Sequence, residues 1–271
     1  MLHSVPAVAG NAGCEAAARR PHERLRGHVF GYGAFRSATG RSTRHRLLPV
    51  SATVLILDFD APGLVTGPRA TATTDGPTRW GHGVTVGLTP AGVTALLGVP
   101  MPELAGRTVA LPDLLGARAG ELAERLAARA DWAGRFALLD EVLATWSPPG
   151  PGDRKDPVIA AWRRLQRSGG RLRIGTLAAD LGVGRRGLER AFRERFGQSP
   201  GAVGRIARLQ RAVALIGRGS PLATVAAESG YADQPHLTRE ARALTGLTPA
   251  ELRPFLAHGT LAEAAAAVKA G

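Results

Sequence analysis

Arginine side chains recur along one side of the stretch from residue 184 to residue 196. Helical spacing puts the apolar residues Leu188, Phe192 and Phe196 on one face. The other face presents Arg185, Arg186, Glu189, Arg190 and Arg193. A guanidinium group can fork onto guanine O6 and N7 or pair with phosphate, so this face suits a DNA groove. A solvated face of an ordinary helical bundle would show the same pattern, and the surrounding sequence must decide between the two.

A second stretch, from residue 233 to residue 244, has a similar design with fewer cations. Asp233 is placed to cap the helix, and Pro235 lies in the first turn, where a missing N–H costs nothing. Helical spacing places the apolar residues Leu237, Ala241 and Leu244 on the inner face. The outward positions hold Gln234, His236, Thr238, Arg239 and Arg242. We expect His236 to contact phosphate or solvent rather than a metal.

These two stretches belong to a unit that occurs twice in the chain. In each copy apolar residues at helical spacing are followed by a glycine turn and a second amphipathic stretch, which is typical of a helix-turn-helix. With an offset of 48 residues, the first copy matches the second at Ile174/Leu222, Leu177/Val225, Ala178/Ala226, Leu181/Ser229 and Gly182/Gly230. Beyond the turn the offset is 49 residues, at Leu188/Leu237, Gly197/Gly246 and Pro200/Pro249. The repeated turn favours DNA binding over a solvated bundle.

Charge and spacing agree with this interpretation. Residues 1–150 carry 15 basic and 12 acidic residues, a net of +3, whereas residues 151–256 carry 19 and 9, a net of +10. A basic surface provides the phosphate attraction of nonspecific DNA binding. Residues 203–216 read as one continuous helix between the copies. A stiff connector of this length would separate the recognition helices by about one turn of DNA, roughly 34 Å.

Several motifs of this half together resemble the signature of AraC/XylS-type transcription regulators. They are Arg208–Ile216, Val225–Tyr231, Asp233–Leu237 and Gly246–Pro249. The resemblance spans residues 155–256. It implies a seven-helix DNA-binding domain with two helix-turn-helix subdomains, a long connecting helix, and recognition helices at about 184–195 and 233–244.

Two departures from the family pattern bear on packing. Leu237 and Ala241 stand where aromatic residues are usual, so the second subdomain is expected to pack less tightly. Gly184 stands where a capping serine is common, which would weaken the start of the first recognition helix.

Breaks in composition divide the chain. We expect a disordered Ala- and Gly-rich lead-in over residues 1–24 and a β-rich, then helical domain over 25–146. A Pro/Gly linker at 147–156, the DNA-binding domain at 157–256 and an Ala-rich tail at 257–271 follow. The predicted fold class is thus an α+β N-terminal domain followed by an all-α domain with two helix-turn-helix subdomains. Short motifs such as Gly81–Val84 and Leu96–Pro100 are similar to N-terminal regions of actinobacterial regulators of the same family.

The N-terminal domain leaves its role open. It either holds a small-molecule effector in an apolar cavity, with Trp80 and His82 near its rim, or only mediates homodimer formation or contact with RNA polymerase. Sensing is slightly favoured, and the regulator is expected to be an activator.

An enzyme fused to the DNA-binding domain is the weakest alternative. The histidines are scattered without metal-ligand spacing, so neither a metal nor a cofactor is expected. Asp58 and Asp60 could form a carboxylate pair but are expected to be solvated acids at a strand end. The single cysteine, Cys14, excludes an internal disulfide and fits a reducing, cytoplasmic setting. No stretch of 18 apolar residues predicts a membrane span.

Overall fold

In the described residues, the N-terminal half consists of two β-sheets, four α-helices and two short 3-10 helices, and the C-terminal half consists of seven α-helices. The computed structural model describes residues 2–7, 14–38, 41–147 and 156–256. The described strands are β1 (Ser4–Pro6), β2 (Cys14–Arg19), β3 (Val29–Ser37), β4 (Thr43–Leu47), β5 (Thr53–Asp58), β6 (Leu64–Thr66), β7 (Arg79–Trp80), β8 (His82–Leu88) and β9 (Thr108–Ala110). The helices of this half are α1 (Pro90–Leu97), α2 (Leu111–Leu115), α3 (Arg118–Ala127) and α4 (Trp132–Trp146).

The strands form two antiparallel sheets that pack face to face. The larger has the order β2-β3-β8-β5-β6-β9 and the smaller the order β1-β4-β7. Side chains alternate along β5: Val54 and Ile56 join Trp80 of the smaller sheet in one apolar cluster. Leu55 and Leu57 point the other way, into the larger core that includes α1, α3 and α4. Strand β5, in the interior of the larger sheet, is therefore buried on both faces.

Helix α4 is attached to the sheet by one carboxylate. Asp140 accepts hydrogen bonds from the Tyr32 hydroxyl at 2.9 Å and the His22 backbone N–H at 2.8 Å, and it forms an ion pair with Arg19. The Tyr32 ring also stacks on Phe136 with ring centroids 5.9 Å apart. These contacts connect α4 to β2, β3 and the segment between them.

The prediction of a disordered lead-in over residues 1–24 is wrong for the part that the structure describes. β2 pairs with β3 in continuous register from Cys14↔Ser37 to Arg19↔Tyr32, and β1 pairs with β4. Val5 of β1 is 1% exposed. Alanine-rich segments have little strand propensity of their own, but pairing with a long neighbouring strand outweighs this local preference. Residues 148–155 of the predicted linker and the predicted tail at 257–271 lie outside the described residues.

The C-terminal half is helical throughout its described residues, as predicted. Its seven helices are α5 (Pro157–Arg167), α6 (Ile174–Asp180), α7 (Arg185–Phe196), α8 (Pro200–Gly217), α9 (Leu222–Ser229), α10 (Gln234–Thr245) and α11 (Pro249–Leu256). The predicted fold class is confirmed. In the described ranges, none of the helices combines the length and the apolar character that crossing a membrane requires.

Candidate nucleic-acid interface

The first helix-turn-helix unit consists of α6 and α7 around Gly182. This glycine has a φ of +64°, a left-handed conformation that residues with a Cβ rarely adopt. Leu177 of α6 is buried against the same core as Leu188 and Phe192 of α7, which are 1% and 0% exposed. The turn thus fixes the angle at which α7 leaves α6.

The outer face of α7 is a row of exposed cations, as predicted. Arg185, Arg186, Arg190 and Arg193 are exposed, and Glu189 is half-buried. The carboxylates on this face hold two of the arginines weakly, since Arg185 Nε lies 3.5 Å from Glu189 Oε1 and Arg190 Nε lies 3.9 Å from Glu194 Oε1. Such exposed pairs contribute about 0.3–0.5 kcal/mol, so DNA phosphate or a base can replace them at little cost.

Gly184 is the N-cap residue of α7 and provides no side-chain hydrogen bond. The expectation of a weakly capped start is therefore confirmed. A serine at this position would satisfy an N–H of the first turn and stabilise the helix by about a few tenths of a kcal/mol, since glycine is itself a tolerated N-cap residue.

The second unit consists of α9 and α10 around Gly230, whose φ is +80°. Asp233 caps α10, because its Oδ1 accepts a hydrogen bond of 2.6 Å from the His236 backbone N–H. Pro235 lies in the first turn, as predicted. Leu237 and Ala241 are 0% and 1% exposed, so this helix buries its inner face fully without the aromatic residues usual in the family.

The outer face of α10 carries the remaining predicted residues. Gln234, Arg239 and Arg242 are exposed, whereas Thr238 is half-buried and its hydroxyl donates to the Gln234 carbonyl oxygen at 3.0 Å. The helical spacing predicts His236 on this face as well. Its ring instead folds back against the edge of Tyr231 at 5.3 Å, with Nε2 3.4 Å from Glu240 Oε2. Three of the five residues are thus free to reach a groove.

Glu240 is the centre of an ionic cluster that the sequence analysis missed. Its side chain is 9% exposed and lies 3.3 Å from Arg205 Nε and 3.5 Å from an Arg208 guanidinium nitrogen. Both arginines belong to α8, and Arg208 also lies over the Tyr231 ring at 5.8 Å. The cluster therefore fixes the second recognition helix to the connector. The sequence signal for this cluster is the position of Glu240, a charged residue three positions after the inward-facing Leu237.

Helix α8 connects the two units and includes the predicted segment 203–216. Its 18 residues span about 27 Å at 1.5 Å per residue. The loop between α5 and α6, which leads into the first unit, approaches it at Gly170, where an added Cβ would lie 1.9 Å from the Gly204 carbonyl oxygen. Both units are therefore packed on the same rigid element.

The N-terminal domain contacts both units and their connector through backbone groups. Near the first unit, Gln198 donates to the Val50 carbonyl oxygen at 3.2 Å. On α8, Gln210 donates to the carbonyl oxygens of Pro49 at 2.9 Å and of Leu2 at 2.8 Å. At the second unit, the Ala72 N–H donates to the carbonyl oxygen at the end of α10 at 2.7 Å.

Apolar contacts also connect the N-terminal domain to the helices of both units. Phe30 of β3 stacks on Trp162 of α5, with ring centroids 4.7 Å apart. Val5 and Leu48 belong to the core of the second unit together with Leu252 of α11. The N-terminal domain is thus part of the packing of both helix-turn-helix units.

Trp80 and His82 do not lie at one rim. The chain crosses from the small sheet to the large one at Gly81, where an added Cβ would lie 2.9 Å from the Arg41 carbonyl oxygen. Trp80 is 1% exposed between the sheets and stacks on His45 at 4.2 Å. His82 faces the helices and meets the edges of Phe59 at 4.8 Å and Trp132 at 5.7 Å. The prediction of a shared rim is wrong because the two residues belong to different sheets.

The residues around Trp80 form a buried, uncharged group. Burial lowers the pKa of His3 to about 3 and that of His45 to about 4, so both imidazoles are neutral at pH 7. His3 also stacks on Trp80 at 6.0 Å. The space between the sheets at this point is occupied by rings of this chain.

The predicted solvated acid pair is wrong for Asp58. Asp58 is 2% exposed, and its Oδ2 accepts a hydrogen bond of 2.7 Å from the Gly81 N–H. Oδ1 accepts another, of 2.9 Å, from the Asp60 N–H. Asp58 therefore fixes the crossing between the sheets rather than serving a reaction.

Comparison with known proteins assigns the C-terminal half. A family model described as a helix-turn-helix domain matches residues 177–254. Residues 177–254 therefore form a helix-turn-helix domain of the kind found in AraC-type regulators. The resemblance stated from the motifs is therefore confirmed for this part, and the AraC-type domain contains both recognition helices, α7 and α10. DNA binding and transcription regulation are the functions of such a domain.

Several solved structures match this chain at low sequence identity. The C-terminal domain of AraT, a response regulator from Geobacillus stearothermophilus, is 22% identical and covers 36% of this chain and 84% of its own, with a TM-score of 0.34. ToxT from Vibrio cholerae O395 is 10% identical over 93% of both chains, with a TM-score of 0.44. A structure of ToxT with bound unsaturated fatty acid is 9% identical over 95% of both chains, with a TM-score of 0.45. The comparison with curated proteins found no match.

Proposed function

We propose that this chain is a transcription regulator that binds a specific duplex DNA sequence with two recognition helices in adjacent segments of the major groove. The observation that carries the proposal is the pair of glycine-turned helices, α7 and α10, each buried on one face and open on the other. Exposed Arg185, Arg186, Arg190 and Arg193 supply the contacts of α7, and Gln234, Arg239 and Arg242 supply those of α10. Arginine forks suit guanine and phosphate, and glutamine suits adenine.

The connector supports the use of two grooves. Both units pack on α8, whose length of about 27 Å is comparable with the roughly 34 Å of one DNA turn. A rigid separation of this size would let both helices enter the same side of the duplex, one turn apart. A flexible connector would give two independent binding modules instead.

Selection from random duplexes with the full chain tests this proposal. We expect an enriched motif with two half-sites one helical turn apart and an affinity that falls steeply with salt. A motif with one half-site would contradict the two-groove arrangement. Failure to enrich any motif, or binding independent of salt, would contradict sequence-specific recognition.

We further propose that the N-terminal domain modulates DNA binding by setting the arrangement of the two units. Its carbonyl groups bind Gln198 near one unit and Gln210 on the connector, and its residues Val5 and Leu48 complete the core of the other unit. A change in this domain would therefore shift the population of DNA-competent arrangements. Gln210→Leu removes the connector's bonds to Leu2 and Pro49, and it should weaken binding to a two-half-site duplex more than to a single half-site. Equal weakening on both duplexes would contradict the modulation.

A small-molecule effector, self-association and contact with RNA polymerase remain predictions. An effector that binds the folded state more tightly than the unfolded state would raise the melting temperature of the full chain. A ligand screen by thermal shift, together with sedimentation of the free protein, separates sensing from a purely dimerising role.

A further inference from the structure

Three arginines form a ridge on the outer face of the small sheet. Side chains alternate along β4 and β7, so Leu47 and Trp80 lie between the sheets while Arg44, Arg46 and Arg79 lie on the opposite face. Arg44 and Arg79 are exposed, and Arg46 is half-buried. We call these three residues the arginine ridge.

The arrangement of the ridge is unfavourable in the free protein. Arg44 and Arg79 are direct partners on neighbouring antiparallel strands, and like charges in such a pair destabilise the sheet. Within the described ranges, no carboxylate lies within ion-pair distance of any of the three. The carboxylate of Asp75 instead accepts a hydrogen bond of 3.0 Å from the Thr73 hydroxyl.

Carbonyl groups hold the guanidinium groups without neutralising them. Arg44 donates to the Thr74 carbonyl oxygen at 2.7 Å, and Arg79 donates to the Ser42 carbonyl oxygen at 3.3 Å. Each guanidinium has five N–H donors, so both keep donors for an anionic partner. The ridge is therefore ordered and positively charged in the free protein.

The ridge continues the cationic surface of the second recognition helix. Arg46 donates to the Thr245 carbonyl oxygen at 3.3 Å, which places it at the C-terminal end of α10. The exposed Arg242 lies three residues earlier, about 4.5 Å along the helix axis. Arg44 lies two residues from Arg46, about 6.7 Å along β4. Arg46 therefore connects the ridge to the C-terminal end of the helix that carries Arg242.

We propose that the arginine ridge binds the phosphate backbone of duplex DNA beside the segment that α10 contacts. This inference rests on the proposed function and extends it to the N-terminal domain. A polyanion with closely spaced charges matches a row of cations that lacks carboxylate partners. Arginine also suits phosphate because its fork can bind two oxygens at once. The ridge contributes affinity and the length of the bound site rather than base discrimination.

The test uses the full chain with a double substitution, Arg44→Gln together with Arg79→Gln. Binding to the selected duplex is measured from 50 to 300 mM salt, on a long duplex and on one trimmed at the flank beyond the α10 half-site. Loss of two phosphate contacts should flatten the slope of log affinity against log salt by about 1–2 and weaken binding to the long duplex about 5–30-fold at low salt. The trimmed duplex should bind the wild type and the double variant equally.

Matched variants keep the test specific. Arg24→Gln with Arg26→Gln removes the same charge from two exposed positions away from the ridge and should leave affinity within about two-fold of wild type. Arg44→Lys with Arg79→Lys keeps the charge and should keep the salt slope, which excludes a folding defect as the cause of the loss.

The outcomes separate the two proposals. If the wild type selects a motif and the Gln double variant matches it on the long duplex, the ridge does not bind DNA and an acidic protein partner becomes the better candidate. If the loss persists on the trimmed duplex, the ridge acts elsewhere than on the flank, which also overturns the proposal. If the wild type selects no motif, the proposed function fails and the ridge proposal fails with it.

Discussion

Replacing Glu240 by Gln should loosen the second recognition helix from the connector. Glu240 lies 3.3 Å from Arg205 Nε and 3.5 Å from an Arg208 guanidinium nitrogen, and the Gln side chain removes the charge at nearly constant size. The Arg205 side chain is 50% exposed, so we assign its pair only about 0.5 kcal/mol. The Arg208 pair is more buried, at 26% and 9% exposure, and we assign it about 1–2 kcal/mol. The expected loss of unfolding free energy is therefore about 1.5–2.5 kcal/mol.

Urea unfolding and DNA binding measure this effect together. We expect the variant to lose about 3–30-fold in affinity for the selected duplex. Its discrimination between bases should weaken in the half-site that α10 contacts and stay unchanged in the half-site of α7. Glu228→Gln is the matched control, because Glu228 lies 3.8 Å from Arg211 of the same connector and is 50% exposed. The control should change stability by less than about 0.5 kcal/mol. Equal effects of the two substitutions on stability and on half-site discrimination would refute the role assigned to Glu240.

Three further predictions concern other parts of the chain. Arg186→Ala should weaken specific binding by about 1–3 kcal/mol if this side chain contacts a base, and equal losses on selected and random duplexes in mobility-shift titrations would make it a phosphate contact. Gly170→Ala should destabilise the chain by at least about 2 kcal/mol, because φ is +72° and the added Cβ would overlap a carbonyl oxygen of α8, whereas Gly175→Ala has open space and should be neutral or stabilising in urea unfolding. Burial lowers the pKa of His3 to about 3 and of His45 to about 4, so the unfolded chain binds more protons between those values and pH 6.5. This contribution to stability is complete above pH 6.5 and should fall by up to about 5 kcal/mol by pH 4.5, since each imidazole loses about 1.4 kcal/mol per pH unit, and a His45→Phe variant with an unchanged pH profile would contradict this account.

The helical half could be predicted in detail because its signals are local. Apolar residues at helical spacing and glycines at left-handed positions gave the two units, and Gly182 and Gly230 have the expected positive φ values. The caps were predictable for the same reason, since Asp233 needs only a neighbouring N–H three residues later. Exposure of Arg186 also follows from the side of the helix on which it lies.

The contacts between the two halves could not be predicted from sequence. Gln198 and Gln210 are buried because they bind carbonyl oxygens of Val50 and Pro49, and no local pattern indicates which distant carbonyl group a glutamine will meet. His82 is predicted at the rim together with Trp80 because both lie near a glycine-flanked turn. That inference fails when the chain changes sheets between them.

The second helix-turn-helix unit has a consequence for the order in which the chain can fold. Val5 and Leu252 are packed in one core although 247 residues separate them in the chain. The ribosome releases β1 long before α11 exists, so this core cannot close until α11 has been synthesised. Contacts at such separation are slow to form, and the apolar residues that await them stay exposed in the meantime. The unit with the weaker cationic face can therefore reach its native packing only after all the helices of the other unit have been synthesised.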